Sequence, residues 1–400
     1  MFCYLFFYTG RQTFGFAIPG IEKELGISKA TLGWASAALL WTYAIGQFVN
    51  GNLGDQYGGR RLMALGAWLS CGLNWIVSFG QSAWGIGIPW AMNGYAQSLG
   101  WAPGSKVLSN WFSHHERGMA YGGYLFAAGS SSVLAFATST LILEFDLDWR
   151  WIFRIPVLLL LLGGTVYYLL VRDKPEDAGF PAVEETVVMS DEKQAGDTLT
   201  AWERYRIALT NRSFLIASLA IGFQNTARYG LLIWVPVHFL GEHGKESAGK
   251  WISLALPVGM ALGAIASGWV SDVLLKGNRS RVIGLFLGAA AACSLGMSYL
   301  DRGSLFGIVL LFLTGFFAYG PQSAFWALCP DLLGKRLAGT GTGVMNTAAY
   351  VFAGFGEPLI GWIIDQRNDT SMIFTIVAVS CTAGAVLSCF IREPDSRQPG

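Results

Sequence analysis

Arg11-Gln-Thr-Phe-Gly-Phe-Ala-Ile-Pro19, near the amino terminus, returns 217 residues later as Arg228-Tyr-Gly-Leu-Leu-Ile-Trp-Val-Pro236. The same offset lays Gly46 on Gly263, Gly51 on Gly268, Asp55 on Asp272 and Ala38-Leu39 on Ala255-Leu256. A common offset held from Arg11 to Asp55, and preserving Arg, Pro, Gly and Asp together, marks a duplicated unit. Later the register drifts: Phe153 needs an offset of 221 to meet Phe374, which places a slightly longer loop in the second copy.

The surroundings of the repeat decide its setting. Of 400 residues, 53% are hydrophobic, 14% aromatic and 13% charged, about half the charged share of a soluble domain. The charges sit in short clusters between apolar stretches of about 20 residues, the length that crosses a bilayer. Twelve such stretches fall at 2–21, 31–53, 62–80, 83–106, 118–143, 151–171, 213–240, 250–271, 282–300, 304–328, 338–364 and 370–391. The expected fold is therefore an all-α membrane protein, with twelve transmembrane helices in two pseudo-symmetric six-helix bundles. Residues 1–171 form the first half and 213–400 the second, and the polar segment 172–212 links them. The 51 glycines fit this setting, because membrane helices approach one another through small residues such as Gly259 and Gly263, or Gly339, Gly341 and Gly343.

The first stretch begins almost at Met1, contains Arg11 and shows neither a basic leader nor a small-residue cleavage site, so it reads as a retained helix. Twelve spans put both termini on one side. That side and its loops hold sixteen of the 27 Lys and Arg residues, against seven on the other. The positive-inside rule then makes both termini cytoplasmic, in a cytoplasmic (inner) membrane. The six cysteines all lie in apolar spans or, for Cys329, directly beside one, without metal or redox spacing, and read as packing residues.

A charge at bilayer depth costs at least about 2.5–3.5 kcal/mol on insertion scales, so it is normally paired, hydrated or functional. Tyr4, Tyr8, Arg11 and Gly15 are spaced to stack on one face of a helix. Gln224, Arg228 and Leu231 or Leu232 repeat that spacing in the seventh span, with Asn225 adjoining. Two guanidiniums facing one midplane cavity suit a doubly charged tetrahedral anion, which Arg can grip through paired donors. The opposing reading pairs each arginine with an intramembrane carboxylate. Glu357 is the obvious deep candidate, and one carboxylate cannot neutralise both arginines.

Gly51-Asn-Leu-Gly-Asp55-Gln-Tyr-Gly58-Gly59-Arg60-Arg61 resembles the loop signature GxLxDxxGxR of the major facilitator superfamily, and Gly268-Trp-Val-Ser-Asp272 is its weaker second copy. Here Asp55, Arg60, Arg61 and Asp272 read as a gate, a carboxylate beside guanidiniums at helix ends that can latch one conformation. Topological anchoring by the arginines alone is the alternative.

A narrower resemblance covers nearly the whole chain. It runs through Tyr8-Thr-Gly-Arg11-Gln-Thr-Phe14, Gln97-Ser-Leu-Gly-Trp101-Ala-Pro103-Gly104, Asn110-Trp111-Phe112 and Glu116-Arg117-Gly118. It continues through Arg172-Asp-Lys-Pro175-Glu-Asp-Ala-Gly179-Phe-Pro181, Arg228-Tyr229-Gly230, Gly320-Pro321 and Ala338-Gly339-Thr340. As a set these are similar to the organophosphate:phosphate antiporters, the group of bacterial glycerol-3-phosphate and hexose-phosphate exchangers. The resemblance implies that Arg11 and Arg228 hold phosphate, and Tyr8, Gln97, Trp101 and Tyr229 match neighbouring motif positions. Helix packing is the other use for such Trp and Tyr residues.

Two departures qualify the match. Gln47 stands where family members usually carry Lys, and Tyr121 to Ser132 lacks the histidine that some exchangers have in the fifth helix. Both remove positive charge from the cavity. Glu357, in Gly354-Phe-Gly356-Glu357-Pro358, adds a negative charge that the family pattern does not predict. It reads as a proton-coupling carboxylate, a partner for a substrate amine, or a helix-end residue near the outer mouth.

The expected activity is exchange of an organic phosphate or phosphonate for inorganic phosphate by alternating access, carried out by a monomer in the lipid bilayer. Proton- or cation-coupled symport of a carboxylate or sulfonate, and sugar-phosphate sensing by a membrane receptor, are the alternatives. There is no GxxxxGK[ST] phosphate loop and no HExxH, so neither an ATP-driven pump nor an enzyme is expected, and no cofactor is implied. His114-His115-Glu116 lacks a third ligand for a metal site. A net charge of +1 gives no reason to expect nucleic-acid binding.

Overall fold

The computed structural model describes residues 2–112, 117–181, 201–240, 251–275, 278–300, 304–334 and 337–393. His114-His115-Glu116 and residues 182–200 of the linker lie outside them. Among the described residues there is no strand, and the helices fall into twelve rods.

In the first half, helix one is a 3-10 run, Cys3–Gly10, followed by an α-helix, Phe14–Leu25. Helix two is Lys29–Tyr57, helix three Gly59–Val77, and helix four the pair Ala83–Ser98 and Trp101–Trp111. Helix five is Arg117–Glu144, and helix six is Trp151–Arg154 with Pro156–Leu170. In the second half, helix seven is Arg212–Leu240 and helix eight is Ala255–Trp269 prolonged by a π turn, Val270–Leu274. Helix nine is Arg279–Met297, helix ten Leu305–Tyr319 with Gln322–Leu333, helix eleven Ala338–Arg367 and helix twelve Met372–Ser388.

Five rods are long and apolar enough to cross a bilayer on their own: five, six, nine, ten and eleven. Others fall short for visible reasons. Helices one and four are interrupted midway, and the α-helical parts of eight and twelve have 15 and 17 residues. Interrupted spans leave backbone groups without helical partners, which membrane proteins tolerate only where protein or a polar cavity supplies new ones.

Helix one supplies the main correction to the sequence reading, which had Tyr4, Tyr8, Arg11 and Gly15 on one continuous face. The backbone instead leaves the helix at Arg11, with φ −142° and ψ −20°. Two amides from neighbouring helices explain the break: Asn74 Nδ2 and Asn93 Nδ2 donate to the Gly10 carbonyl at 3.0 and 2.7 Å. That oxygen no longer needs a helical donor from the next turn. The linker also differs from a plain connection. It contains a 3-10 turn, Pro175–Ala178, and an α-helix, Ala201–Thr210, bent 82° from helix seven.

The two halves meet closely at the end away from the termini. Gly33 of helix two lies where a Cβ would come within 2.7 Å of both the Glu357 carbonyl oxygen and Pro358 Cα of helix eleven. Gly15 of helix one faces the Ile233 carbonyl of helix seven more closely still. Asp365, from the second half, caps helix two of the first by accepting the amide protons of Lys29 at 3.3 Å and Ala30 at 2.8 Å. Lys29 Nζ completes the tie, bonded to Glu22 and 4.0 Å from Asp365.

At the end carrying the termini the capping is duplicated. Asp173 accepts the Arg60 amide at 2.8 Å, starting helix three, and Glu393 accepts those of Arg279 at 3.2 Å and Ser280 at 2.5 Å, starting helix nine. Arg172-Asp173 and Arg392-Glu393 are thus one more piece of the repeat, at an offset of 220.

Candidate functional site

Arg11 and Arg228 are both buried, at 6% and 7% exposure. The Arg11 guanidinium lies 4.2 Å from the ring centre of Tyr8 and 4.6 Å from that of Tyr43; Arg228 lies 5.0 Å from Tyr229 and 4.4 Å from Tyr319. The tyrosines join the two arginines across the halves. Tyr43 packs on Tyr350 with centroids 4.9 Å apart, and the Tyr350 hydroxyl stands 3.4 Å from that of Tyr229. Aromatic faces favour a cation, but they leave its N–H donors unused. Nε and Nη1 of Arg11 and Nε of Arg228 are buried without hydrogen-bond partners, and neither arginine pairs with a carboxylate among the described residues.

Arg154, another arginine within a span, shows the contrast. Its Nε donates to Ser78 Oγ at 2.9 Å while its guanidinium rests 4.7 Å from the Phe79 ring. Buried polar atoms normally find partners, so unmet donors gathered at one place need a reason. More unmet atoms follow Arg11 directly: both side-chain polar atoms of Gln12 and the hydroxyl of Thr13. With Gln47 Nε2 of helix two and Gln322 Oε1 of helix ten, also unmet, the described residues offer donors and acceptors from both halves.

The other residues singled out from the sequence take several positions. Tyr8 and Tyr229 stack on the arginines, as above. Gln97 lies one layer behind Arg11: its Nε2 donates to Ser70 Oγ at 2.7 Å, Ser70 donates to Asn93 at 2.7 Å, and Asn93 holds the Gly10 carbonyl. Gln224 plays the matching part in the second half, donating to the Ala318 carbonyl at 2.9 Å beside the interruption of helix ten. Ser267 bonds the Gly320 carbonyl at the same interruption. Trp101 stacks on Tyr124 with centroids 4.8 Å apart and meets Tyr4 edge-on, so its ring contacts lie in the aromatic core of the first half.

Glu357 is fully buried within helix eleven, which removes the reading as a helix-end residue at the outer mouth. Its Oε2 accepts from Trp234 Nε1 at 2.8 Å and its Oε1 has no partner. At the signature loop, Arg60 Nε donates to the Tyr168 carbonyl at 2.7 Å and its guanidinium covers the Tyr168 ring at 4.5 Å, while Arg61 is exposed. The carboxylate bonded at this corner is Asp173. Asp55 lies on helix two and Asp272 in the π turn, and the side chains of both fall outside the described residues.

Sequence reasoning missed Tyr43, Tyr319 and Tyr350. Tyr43 stands four residues before Gln47, and Tyr350 seven before Glu357, helical spacings that put each near a residue already singled out. A separate cavity of about 290 Å³ opens among Met63, Leu108, Tyr124 and Tyr167 in the first half. Its walls are mainly apolar, with Arg172 among them, and include neither arginine of the pair, so it is distinct from the cluster around Arg11 and Arg228.

The family model described as Major Facilitator Superfamily matches residues 1–357. A probable hexose phosphate transport protein of Chlamydia pneumoniae is 27% identical, over 96% of this chain and 87% of its own. The membrane sensor protein UhpC of Escherichia coli (strain K12) is 25% identical, over 96% of this chain and 88% of its own. Among solved structures, a D-xylose-proton symporter superposes with a TM-score of 0.73 at 15% identity, covering 99% of this chain and 97% of that one.

Proposed function

The chain belongs to the Major Facilitator Superfamily, and from that premise we propose that it carries an organic phosphate or phosphonate across the cytoplasmic membrane in exchange for inorganic phosphate. The carrying observation is the pair of buried guanidiniums, one from each half, with N–H groups unmet and no carboxylate bonded to either among the described residues. Two such charges match a dianion, and the relative named for hexose phosphate transport supports a phosphorylated substrate.

In this reading residues 1–171 and 213–400 rock against each other around the arginines, and the 172–212 segment is a cytoplasmic linker. The end carrying the termini faces the cytoplasm, and Asp365 and Lys29 hold the outer end shut. Arg11 and Arg228 grip the phosphoryl oxygens, Tyr8 and Tyr229 orient the guanidiniums, and Gln47 faces the cavity as a neutral donor. Asp55, Arg60, Arg61 and Asp272 act at the cytoplasmic ends as the gate. The protein works as a monomer.

A thermal-shift screen of phosphate esters, phosphonates, sulfonates and carboxylates tests the site, repeated on Arg11→Lys and Arg228→Lys. Stabilisation by phosphate compounds that survives both substitutions would refute the assignment. Uptake into phosphate-loaded proteoliposomes then separates exchange from sensing, a role favoured by the likeness to a membrane sensor. A sensor binds phosphate compounds without moving them.

A further inference from the structure

Glu357 is the buried carboxylate that the phosphate reading leaves unused. It sits within the close outer contact between the halves, where Gly33 of helix two packs on the Glu357 carbonyl oxygen and on Pro358. Its carboxyl group meets a single donor, Trp234 Nε1 at 2.8 Å, and its second oxygen meets none.

No cation compensates it among the described residues. On helix two, Lys29 is taken by Glu22 and Asp365, and Tyr43 stacks under Arg11. On helix seven, Arg228 and Tyr229 precede Trp234 by six and five residues, about 9 and 7.5 Å along the axis, and face the tyrosine cluster. His238, further along, bonds Thr370 Oγ1 at 2.9 Å. On helix eleven itself, Tyr350 faces Tyr43 and Tyr229, Asp365 caps helix two, and Arg367 is at the exposed end. Helix twelve offers only Cys381. Asp331 of helix ten, and Glu203, Arg204, Tyr205 and Arg206 of the linker helix, lie on segments that also pack against helix eleven, but at the end carrying the termini.

An ionised carboxylate buried with one donor and no counter-charge carries a large desolvation penalty, which the neutral acid avoids. Water can relieve the same penalty once helices two and eleven separate. We propose that Glu357 is a proton-binding site linked to alternating access: it holds a proton while the outer contact is shut and exchanges it with outside water when that contact opens.

The sign follows from linkage. The shut state binds the proton more tightly, so external acid favours the shut, inward-facing state, and that preference is lost as the outside becomes alkaline. The inference rests on the alternating-access transport proposed above, but not on the identity of the substrate.

Two measurements on the full chain test it. In lipid nanodiscs at neutral pH, infrared spectra should show the carbonyl stretch of an un-ionised carboxylic acid that is missing from Glu357→Gln. The band should weaken in Gly33→Leu, whose side chain wedges helix two away from helix eleven. In proteoliposomes, moving the external medium from mildly acidic to mildly alkaline should slow inorganic phosphate self-exchange several-fold in the unaltered protein and much less in Glu357→Gln. Phosphate titrates over the same range, so the share due to Glu357 is the difference between the two proteins. Absence of the acid band from the unaltered protein, or an undiminished pH response in Glu357→Gln, overturns the proposal. Failure of both proteins to exchange phosphate counts against the phosphate reading alone, and the infrared result then decides the role of Glu357.

Discussion

Arg11 and Arg228 occupy equivalent places in the repeat, yet two different backbones deliver them. Helix seven carries Arg228 inside an uninterrupted α-helix, Arg212–Leu240, so its direction is set by the helix axis. Helix one presents Arg11 from a gap between a 3-10 run and an α-helix, so its direction depends on side chains that brace the gap. In the first half Asn74 and Asn93 brace the arginine's own helix. In the second, Gln224 reaches from the arginine's helix to brace helix ten at Ala318. The duplicated sequence has thus kept the neighbouring helix broken in both halves, helix four after Ser98 and helix ten after Tyr319, while only the first half also breaks the helix that carries the arginine. On the binding proposed above, substrate closing on Arg11 would reset a local gap, whereas closing on Arg228 would move a whole rod or the tyrosines around it.

The largest effect expected on this comparison comes from the arginines themselves. Arg11→Lys and Arg228→Lys each replace a two-pronged donor with a point charge, removing about 1.5–3 kcal/mol of charge-assisted hydrogen bonding, roughly 10- to 150-fold in affinity. Titration with inorganic phosphate reads this directly. If binding uses the halves symmetrically, the two losses are similar. A much milder Arg228→Lys would place most of the grip on helix one.

Next are the braces. Asn93→Ala takes a donor from the Gly10 carbonyl, and Gln224→Ala takes one from that of Ala318. Gln224→Ala should lower thermal stability by an amount equivalent to about 1–3 kcal/mol for an orphaned buried acceptor, and Asn93→Ala by less, because Asn74 still donates to the Gly10 carbonyl. Their effects on phosphate affinity should differ. Gly10 adjoins Arg11, while Ala318 adjoins Tyr319, which only stacks on Arg228. Asn93→Ala is therefore expected to weaken binding more than Gln224→Ala, and equal losses would remove the asymmetry between the two delivery modes.

A smaller shift is expected at the tie between the halves, at the end away from the termini. Asp365→Asn keeps the shape of the cap on helix two but removes its charge and the pairing with Lys29. The change should move the balance toward opening of this end by about 0.3–1 kcal/mol, the usual worth of a charge at a helix N-terminus, because Asn caps as well as Asp. Labelling of a cysteine placed on the outer part of helix two or helix eleven follows that opening.

How much of this was readable in the sequence varies with the kind of interaction. The repeat and the apolar lengths expose the twelve-rod fold, because both are local along the chain. The arginine pair is equally visible, since a charge stands out in an apolar span. The break in helix one is hidden: the amides that stabilise it belong to helices three and four, and nothing between Gly10 and Phe14 names them. The tyrosine cluster is scattered over helices one, two, seven, ten and eleven with no common spacing. The Asp173 and Glu393 caps were in plain view but out of register, at an offset of 220 rather than 217.

The ends of the same two helices away from the chain termini extend the comparison to charge. Helix one is tied to the loop before helix six by ions: Glu24 accepts from Arg150 Nη1 at 2.6 Å and from Trp149 Nε1 at 2.8 Å. Helix seven is tied to the corresponding loop before helix twelve through His238 and Thr370. The Arg150 and Trp149 hydrogen bonds hold the Glu24 carboxyl below the usual carboxylate range. A depressed folded-state value stabilises the protein above the ordinary carboxylate pKa, and that stabilisation is lost as the pH falls through the folded value. The pair is exposed, so the effect is modest and shrinks with added salt. Melting curves of the unaltered protein and Glu24→Gln should differ slightly at neutral pH and converge in acid, because protonation then does to Glu24 what the substitution does. A gap that persists in acid would mean that helix one is held at this end by packing of Trp149 against Gly20, with the charge incidental.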